Sequence, residues 1–253
     1  MKILRDTTLM YQRKMLETLR SPVWIIVGFS TPLLYLVLFA PLLDSLAGGP
    51  GFPTSNVLDV FVPGILALMA FSAGTGAGWI VIHELDTGVI ERFRVTPASR
   101  LALLLGTVLR DATMFVVPAL LVILAAIPFG YRPTWSGIPV LLLLLCLVTA
   151  ATSATSSALG IILREIGALA AIVTGLTLPL TLLSGILLPL SLAPRWMQIL
   201  AYANPLYYAV EASRALSAGD FGGAIVFEAW GVLLALVVIV LVWATRTYQR
   251  AVS

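Results

Sequence analysis

Residues 137–163 read GIPVLLLLLCLVTAATSATSSALGIIL, with no charge among them. The nearest charges, Arg132 and Arg164, enclose 31 uncharged residues. A helix rises about 1.5 Å per residue and a bilayer's hydrocarbon core is about 30 Å thick, so roughly 20 apolar residues suffice to cross it. This run is long enough to span. Its two halves differ in kind. The first is bulky hydrocarbon. The second, TAATSATSS from Thr149 to Ser157, is small and rich in hydroxyls. Small residues let helix backbones approach closely, and hydroxyls hydrogen-bond across the gap.

The same count, made outward from this stretch, finds five more spans. Uncharged runs of 23, 23, 20, 29 and 17 residues lie at 21–43, 60–82, 112–131, 166–194 and 229–245, the last extending back through Ala224–Phe227. The expected spans are 22–43, 60–82, 103–128, 137–163, 166–190 and 224–245. Six crossings place both termini on one side. Of the 253 residues, 60% are hydrophobic and 11% charged, and the mean hydropathy is +1.03. A soluble globule could not hide that much apolar surface. The single cysteine, Cys146, excludes an internal disulfide scaffold. The net charge of +3 does not mark a nucleic-acid binder, because the basic residues sit at the ends of apolar runs rather than in one patch.

With the N-terminus in the cytoplasm, twelve of the fifteen Lys and Arg face inward and three (Arg132, Arg195, Arg214) face outward. That is the bias expected of a multi-pass protein of the cytoplasmic membrane with both termini inside. Trp24, Trp79 and Trp243 fall near inner ends, and Trp135, Trp196 and Trp230 near outer ends, as an aromatic belt requires.

Three segments between spans carry information. Residues 2–20 form a two-faced helix, with Leu4, Tyr11, Met15 and Leu19 on one side and Lys2, Asp6, Arg13, Glu17 and Arg20 on the other. Such a helix lies in the inner interface, as a passive anchor or with its charged face to headgroups or a partner. The segment His83–Arg100 is the densest charge cluster, with Glu84, Asp86, Glu91, Arg92, Arg94 and Arg100. It reads as a short surface helix that docks a soluble partner, or as a solvated loop. The outer region 194–218 holds two short helices. One opens at Pro194, and one is capped by Asn204 with Pro205 at its first position and stopped by Gly219. Each is too short to span, which leaves a re-entrant hairpin or a lid lying on the membrane.

Absences narrow the chemistry. Neither lysine, Lys2 nor Lys14, follows a glycine, so there is no P-loop. The one histidine, His83, makes no metal site. The span middles hold no acidic residue, and Arg110–Asp111 and Arg164–Glu165 are adjacent opposite charges near inner ends that read as local pairs. What the spans do offer is small residues and hydroxyls: Ser72–Gly78 in the second, Thr149–Ser157 in the fourth, and Gly175, Thr181 and Ser184 in the fifth. These pack helices together, or form a conduit wall or subunit seam.

Two stretches carry a resemblance: GVIERFRVTPASR at Gly88–Arg100 and SGILLPLSLAPRWMQILAYANPLYYAVEASRAL at Ser184–Leu216. The second has the form NP-x-x-YA-x-EA-x-RAL, carried by Asn204, Pro205, Tyr208, Ala209, Glu211, Ala212, Arg214, Ala215 and Leu216. Together with the span pattern they resemble the ABC-2 family of ATP-binding-cassette exporter permeases, of the daunorubicin-resistance type. The resemblance implies an all-α, six-span permease with an interfacial N-terminal helix and an outer re-entrant hairpin. It implies pairing with itself or a related permease and with a separate ABC ATPase subunit. ATP and magnesium would bind that partner, and no cofactor this chain. It implies that Arg13, Glu17, Glu84, Asp86, Glu91, Arg92 and Arg94 receive the ATPase. It also implies that the first and fifth spans line the seam and cargo path, which makes Tyr35, Phe39, Thr177, Thr181 and Ser184 candidates there, together with Ser72 and Thr75 of the second span. The re-entrant region would be carried by Trp196, Asn204, Pro205, Tyr208, Glu211 and Arg214. The expected function is outward movement of an amphipathic or hydrophobic cargo, such as a drug, lipid or lipid-linked glycan. The alternatives are an ATP-independent transporter or channel, or a membrane scaffold subunit.

Overall fold

The computed structural model describes residues 2–20, 57–89, 99–186 and 193–252, together with 30, 33, 34, 37, 38 and 190. Most of the expected first span, with Tyr35 and Phe39, lies outside the described residues. So does the far part of the expected 84–96 helix, with Glu91, Arg92 and Arg94.

Every regular element among the described residues is helical. In chain order these are α1 (Lys2–Leu19), α2 (Leu58–Thr75), α3 (Ala77–Asp86), α4 (Arg100–Ala126), α5 (Gly137–Leu163), α6 (Ile166–Leu183), α7 (Arg195–Ala201), α8 (Pro205–Ala218) and α9 (Ala224–Val252). Among the described residues, five segments are long and apolar enough to cross a membrane: Leu58–Asp86, Leu101–Phe129, Gly137–Leu163, Ile166–Leu183 and Ala224–Arg250. The fourth span has the expected bounds. The second runs on to Asp86 and the sixth helix to Val252. The fifth helix stops at Leu183 rather than near 190. Its last turn is closed by Ser184, whose hydroxyl bonds Thr181 O at 2.7 Å, and Gly185 then takes a left-handed φ of 73°.

Helix α5 is the post of the bundle and packs against α2, α3, α4, α8 and α9. Its leucine half (Leu141, Leu144, Leu145, Val148) enters the main core with Phe61, Ile65, Leu66, Phe115 and Ile123. Its small half meets α2 and α3. There the break at Gly76, between α2 and α3, interrupts the helical ladder. Ser156 of α5 mends it: its hydroxyl donates to Thr75 O at 2.5 Å and accepts from Gly78 N at 3.0 Å. Along the same helix, Thr149 donates to Ala70 O at 2.9 Å. Inside a bilayer no water would satisfy those groups, so a neighbouring helix must.

Sterics outweigh these bonds. A Cβ added at Gly78 would run into the backbone oxygen of Ser156, and one at Gly160 into the backbone of Gly78. Interhelical hydrogen bonds within membranes average only about 0.6 kcal/mol each, whereas forcing extra bulk into a packed contact costs about 1–3 kcal/mol or more. Gly78→Leu is therefore expected to abolish the monodisperse peak of the purified protein. Ser156→Ala should lower the melting temperature only slightly. Gly231→Leu, at a position on α9 with open space around it, should change neither. A well-behaved Gly78→Leu protein would refute the close contact.

Candidate functional site

Three features stand out: an ionic rim, an apolar cleft and a polar clamp at the opposite end. The rim gathers α1, the C-terminal ends of α3, α5 and α9 and the first turns of α4. Val81, Leu104, Val108, Ala154, Ala158, Ile161, Ala244 and Tyr248 form its apolar filling. Helix α1 runs beside α4 in the same sense. Asp6 Oδ2 accepts from Ser99 N at 3.5 Å, Gly106 packs on Met10, and Arg110 Nη1 approaches Thr18 Oγ1 at 3.4 Å. Of the expected apolar face of α1, Leu4 and Leu19 are exposed and Tyr11 and Met15 half-buried. Leu9 and Leu16 extend the exposed stripe. The buried side of α1 is instead Thr7 and Lys14, flanked by Met10 and Thr18.

The expected docking residues therefore divide. Glu17 and Asp86 are exposed. Glu84 is turned inward: its Oε1 lies 2.5 Å from Lys14 Nζ and 3.5 Å from Arg13 Nη2, while Arg13 Nε also bonds Glu17 at 2.9 Å. Arg110 and Asp111 pair at 2.9 Å, as their adjacency suggests, and Ser153 of α5 donates to Asp111 Oδ2 at 2.5 Å. Sequence reasoning does not single out Lys14 or Ser153. The available signal is Lys14's place on the Thr7–Met10–Lys14–Thr18 stripe, spaced at helical intervals with no bulky aliphatic residue in it.

A cleft of about 210 Å³ opens between α2, α5, α6, α8 and α9, with Phe71, Val148, Leu176 and Leu233 in its wall. Its wall hydroxyls are spent on backbone carbonyls. Thr75 bonds Ser72 O, Thr152 bonds Val148 O, Thr155 bonds Ala151 O, and Ser156 bonds Thr75 O. What remains toward the cleft is methyl and methylene surface. Of the residues expected along a cargo path, Thr75 lines this cleft, while Ser72, Thr177, Thr181 and Ser184 do not. Thr177 and Thr181 spend their hydroxyls on Val173 O and Thr177 O.

The clamp is built by α8. Asn204 caps it, accepting from Leu206 N at 3.0 Å, with Pro205 at the first position, and Gly219 ends it with a left-handed φ of 89°. Asn204 Nδ2 also donates to Leu180 O at 2.7 Å. Arg214, mostly buried, donates to Gly185 O at 2.7 Å, to Val60 O at 3.2 Å and to Glu211 at 2.5 Å. The carbonyl of Leu180 in the last turn of α6 and that of Gly185 just beyond it are thus bonded by Asn204 and by Arg214 of α8. Tyr208 bonds Tyr202 O at 3.0 Å, and Trp196 is exposed. Beside them Tyr131 pairs with Ser217 at 2.6 Å, and burial pushes the Tyr131 hydroxyl up to about 12.

Comparison with known proteins follows the same lines. The family model described as "ABC-2 type transporter" matches residues 5–217. A putative transport permease, ycf38, of Cyanophora paradoxa is 27% identical over 215 residues, covering 84% of this chain and 74% of that protein. The ycf38 permease of Porphyra purpurea is 26% identical over 236 residues, covering 91% and 81%. The daunorubicin resistance ABC transporter permease protein DrrB1 of Streptomyces coeruleorubidus is 28% identical over 212 residues, covering 83% and 74%. The chain belongs to the ABC-2 type transporter family, as a multi-pass permease subunit that is not itself the ATPase.

Proposed function

We propose that this permease moves a hydrophobic or amphipathic cargo outward, driven by an ATPase subunit seated on the ionic rim. The observation that carries the reading is the separation of chemistry along the bundle. Most of the exposed charge among the described residues, including Arg5, Glu17, Arg20, Asp86, Arg246 and Arg250, lies at the rim, with fewer charges (Arg132, Arg195, Asp220, Glu228) at the clamp end, whereas the cleft wall has no charged residue and its hydroxyls are spent. A motor that grips polar surface has somewhere to hold, and a cargo with an apolar body has somewhere to lie. A relative's name, daunorubicin resistance permease, favours a drug or lipid cargo. A secondary transporter would need a carboxylate within reach of the path. Asp111, buried in a described span, is engaged by Arg110 and Ser153 instead.

Six spans and a self-paired assembly complete the proposal. Arg20 follows α1 on the rim side and Val57 precedes α2 at the clamp end, so the segment 21–56 connects the two ends and supports a sixth crossing. Helix α6 supports pairing: only 6% of its span window is buried, against 61% for α5. Both termini then lie in the cytoplasm, and α7 and α8 form the outer re-entrant hairpin.

Combining Glu17→Lys, Asp86→Lys and Glu91→Lys should release the ATPase subunit while leaving membrane insertion intact; undiminished co-purification would defeat the docking reading. In a Cys146→Ser background, Leu200→Cys should react with a membrane-impermeant maleimide from outside only. Labelling from the cytoplasmic side would overturn the orientation.

A further inference from the structure

A lysine, a glutamate and an arginine tie α1 into the bundle at places the docking surface does not need. Lys14 is buried on the inner side of α1, and its ammonium meets Glu84 at the end of α3. Around the pair lie Met10, Leu103, Thr107 and Tyr248, lining a space of only about 20 Å³. Tyr248 comes from α9 and is itself buried. Further along α4, Arg110 reaches Thr18 of α1 and pairs with Asp111, and Asp111 holds Ser153 of α5. Two cations and two anions are thus enclosed, and each bonds a helix other than its own or a neighbour that does.

Such a cluster is a poor adhesive in general, because burying charges costs nearly what their attraction returns. It is a good registration device. An ion pair with little space around it allows one relative placement of the helices, and sliding α1 along α4 would draw both Lys14 and its neighbour Arg13 away from Glu84.

We propose that Lys14 is a positioning residue whose bond to Glu84, backed by Arg110, Asp111 and Ser153, makes α1, α3, α4 and α5 one rigid lever. This rests on the reading of the rim as the motor's seat, and adds that Glu84 works inside the lever rather than on the motor. A push on exposed Glu17 or Asp86 then reaches α5 without being absorbed by slip of α1.

Two measurements test this. The first uses this chain alone in nanodiscs and reads amide hydrogen exchange. Lys14→Met should speed exchange across α1 at least tenfold, and the swapped pair Lys14→Glu with Glu84→Lys, made together with Arg13→Gln so that the new lysine meets no second cation, should restore most of the protection. Unchanged α1 exchange in Lys14→Met, or a swap no better than the single change, would overturn the joint whether or not a motor sits on the rim. The second uses the complex with its ATPase subunit, spin-labelled at Gln12→Cys and Leu143→Cys in a Cys146→Ser background. Trapping with ATP and vanadate should leave that distance unchanged in the native lever and shift it in Lys14→Met. A shift in the native form would overturn the joint. A distance unmoved in every form, with the exchange result intact, would tell against the motor's seat on the rim instead.

Discussion

The fold depends on how closely α5 can approach the broken helix α2–α3. At that contact Gly74, Gly78 and Gly160 leave no room for a Cβ, and the Ser156 hydroxyl stands in for the ladder bond that the break at Gly76 removes. Membrane helices gain nothing from hiding oil in oil. They associate through close packing and through bonds that lipid cannot supply. A post that touches α2, α3, α4, α8 and α9 at once gives the bundle a fixed interior against which other parts can move. Helix α6 is the exception. It is fastened at its clamp end by Asn204 and Arg214 and joined to α5 through Arg164, the one described non-glycine residue with a positive φ, and it is barely buried between.

That contrast orders the function. Helices α3, α4 and α5 with α1 form a stiff unit at the rim, one wall of the cleft is lightly held, and the far end is clamped by α8. The hydroxyls that look, in sequence, like a polar path are turned back on their own backbones or used between helices. The cleft is accordingly more apolar than a count of Ser and Thr implies, which fits the hydrophobic cargo proposed above and does not suit a chain of ordered waters.

Much of this is legible in the residues. Spans at 137–163 and 60–82 follow from length and charge alone, and the cap Asn204–Pro205 with its stop at Gly219 follows from local backbone chemistry, which needs no tertiary partner. Arg110–Asp111 pairing follows from adjacency. The fifth span's end at Leu183 is only half legible: Gly185 is a local stop, but Asn204 and Arg214, which bond the carbonyls of Leu180 and Gly185, come from twenty or more residues downstream. The inward turn of Glu84 is not legible. A charged residue at a span end looks the same in sequence whether it meets solvent or a lysine 70 positions away. The orientation of α1 is hidden for a related reason: its helical wheel separates apolar from charged residues, but not the side that faces lipid from the side that faces α4.

The most direct measurement is a cryo-EM map of the purified permease with its ATPase subunit and bound ATP. The motor's density is predicted on the rim, touching α1 near Glu17 and the chain following Asp86, with the Lys14–Glu84 pair enclosed behind that contact. A motor seated on the α7–α8 end, or a permease that carries cargo across a vesicle membrane with no motor in the map, would contradict it.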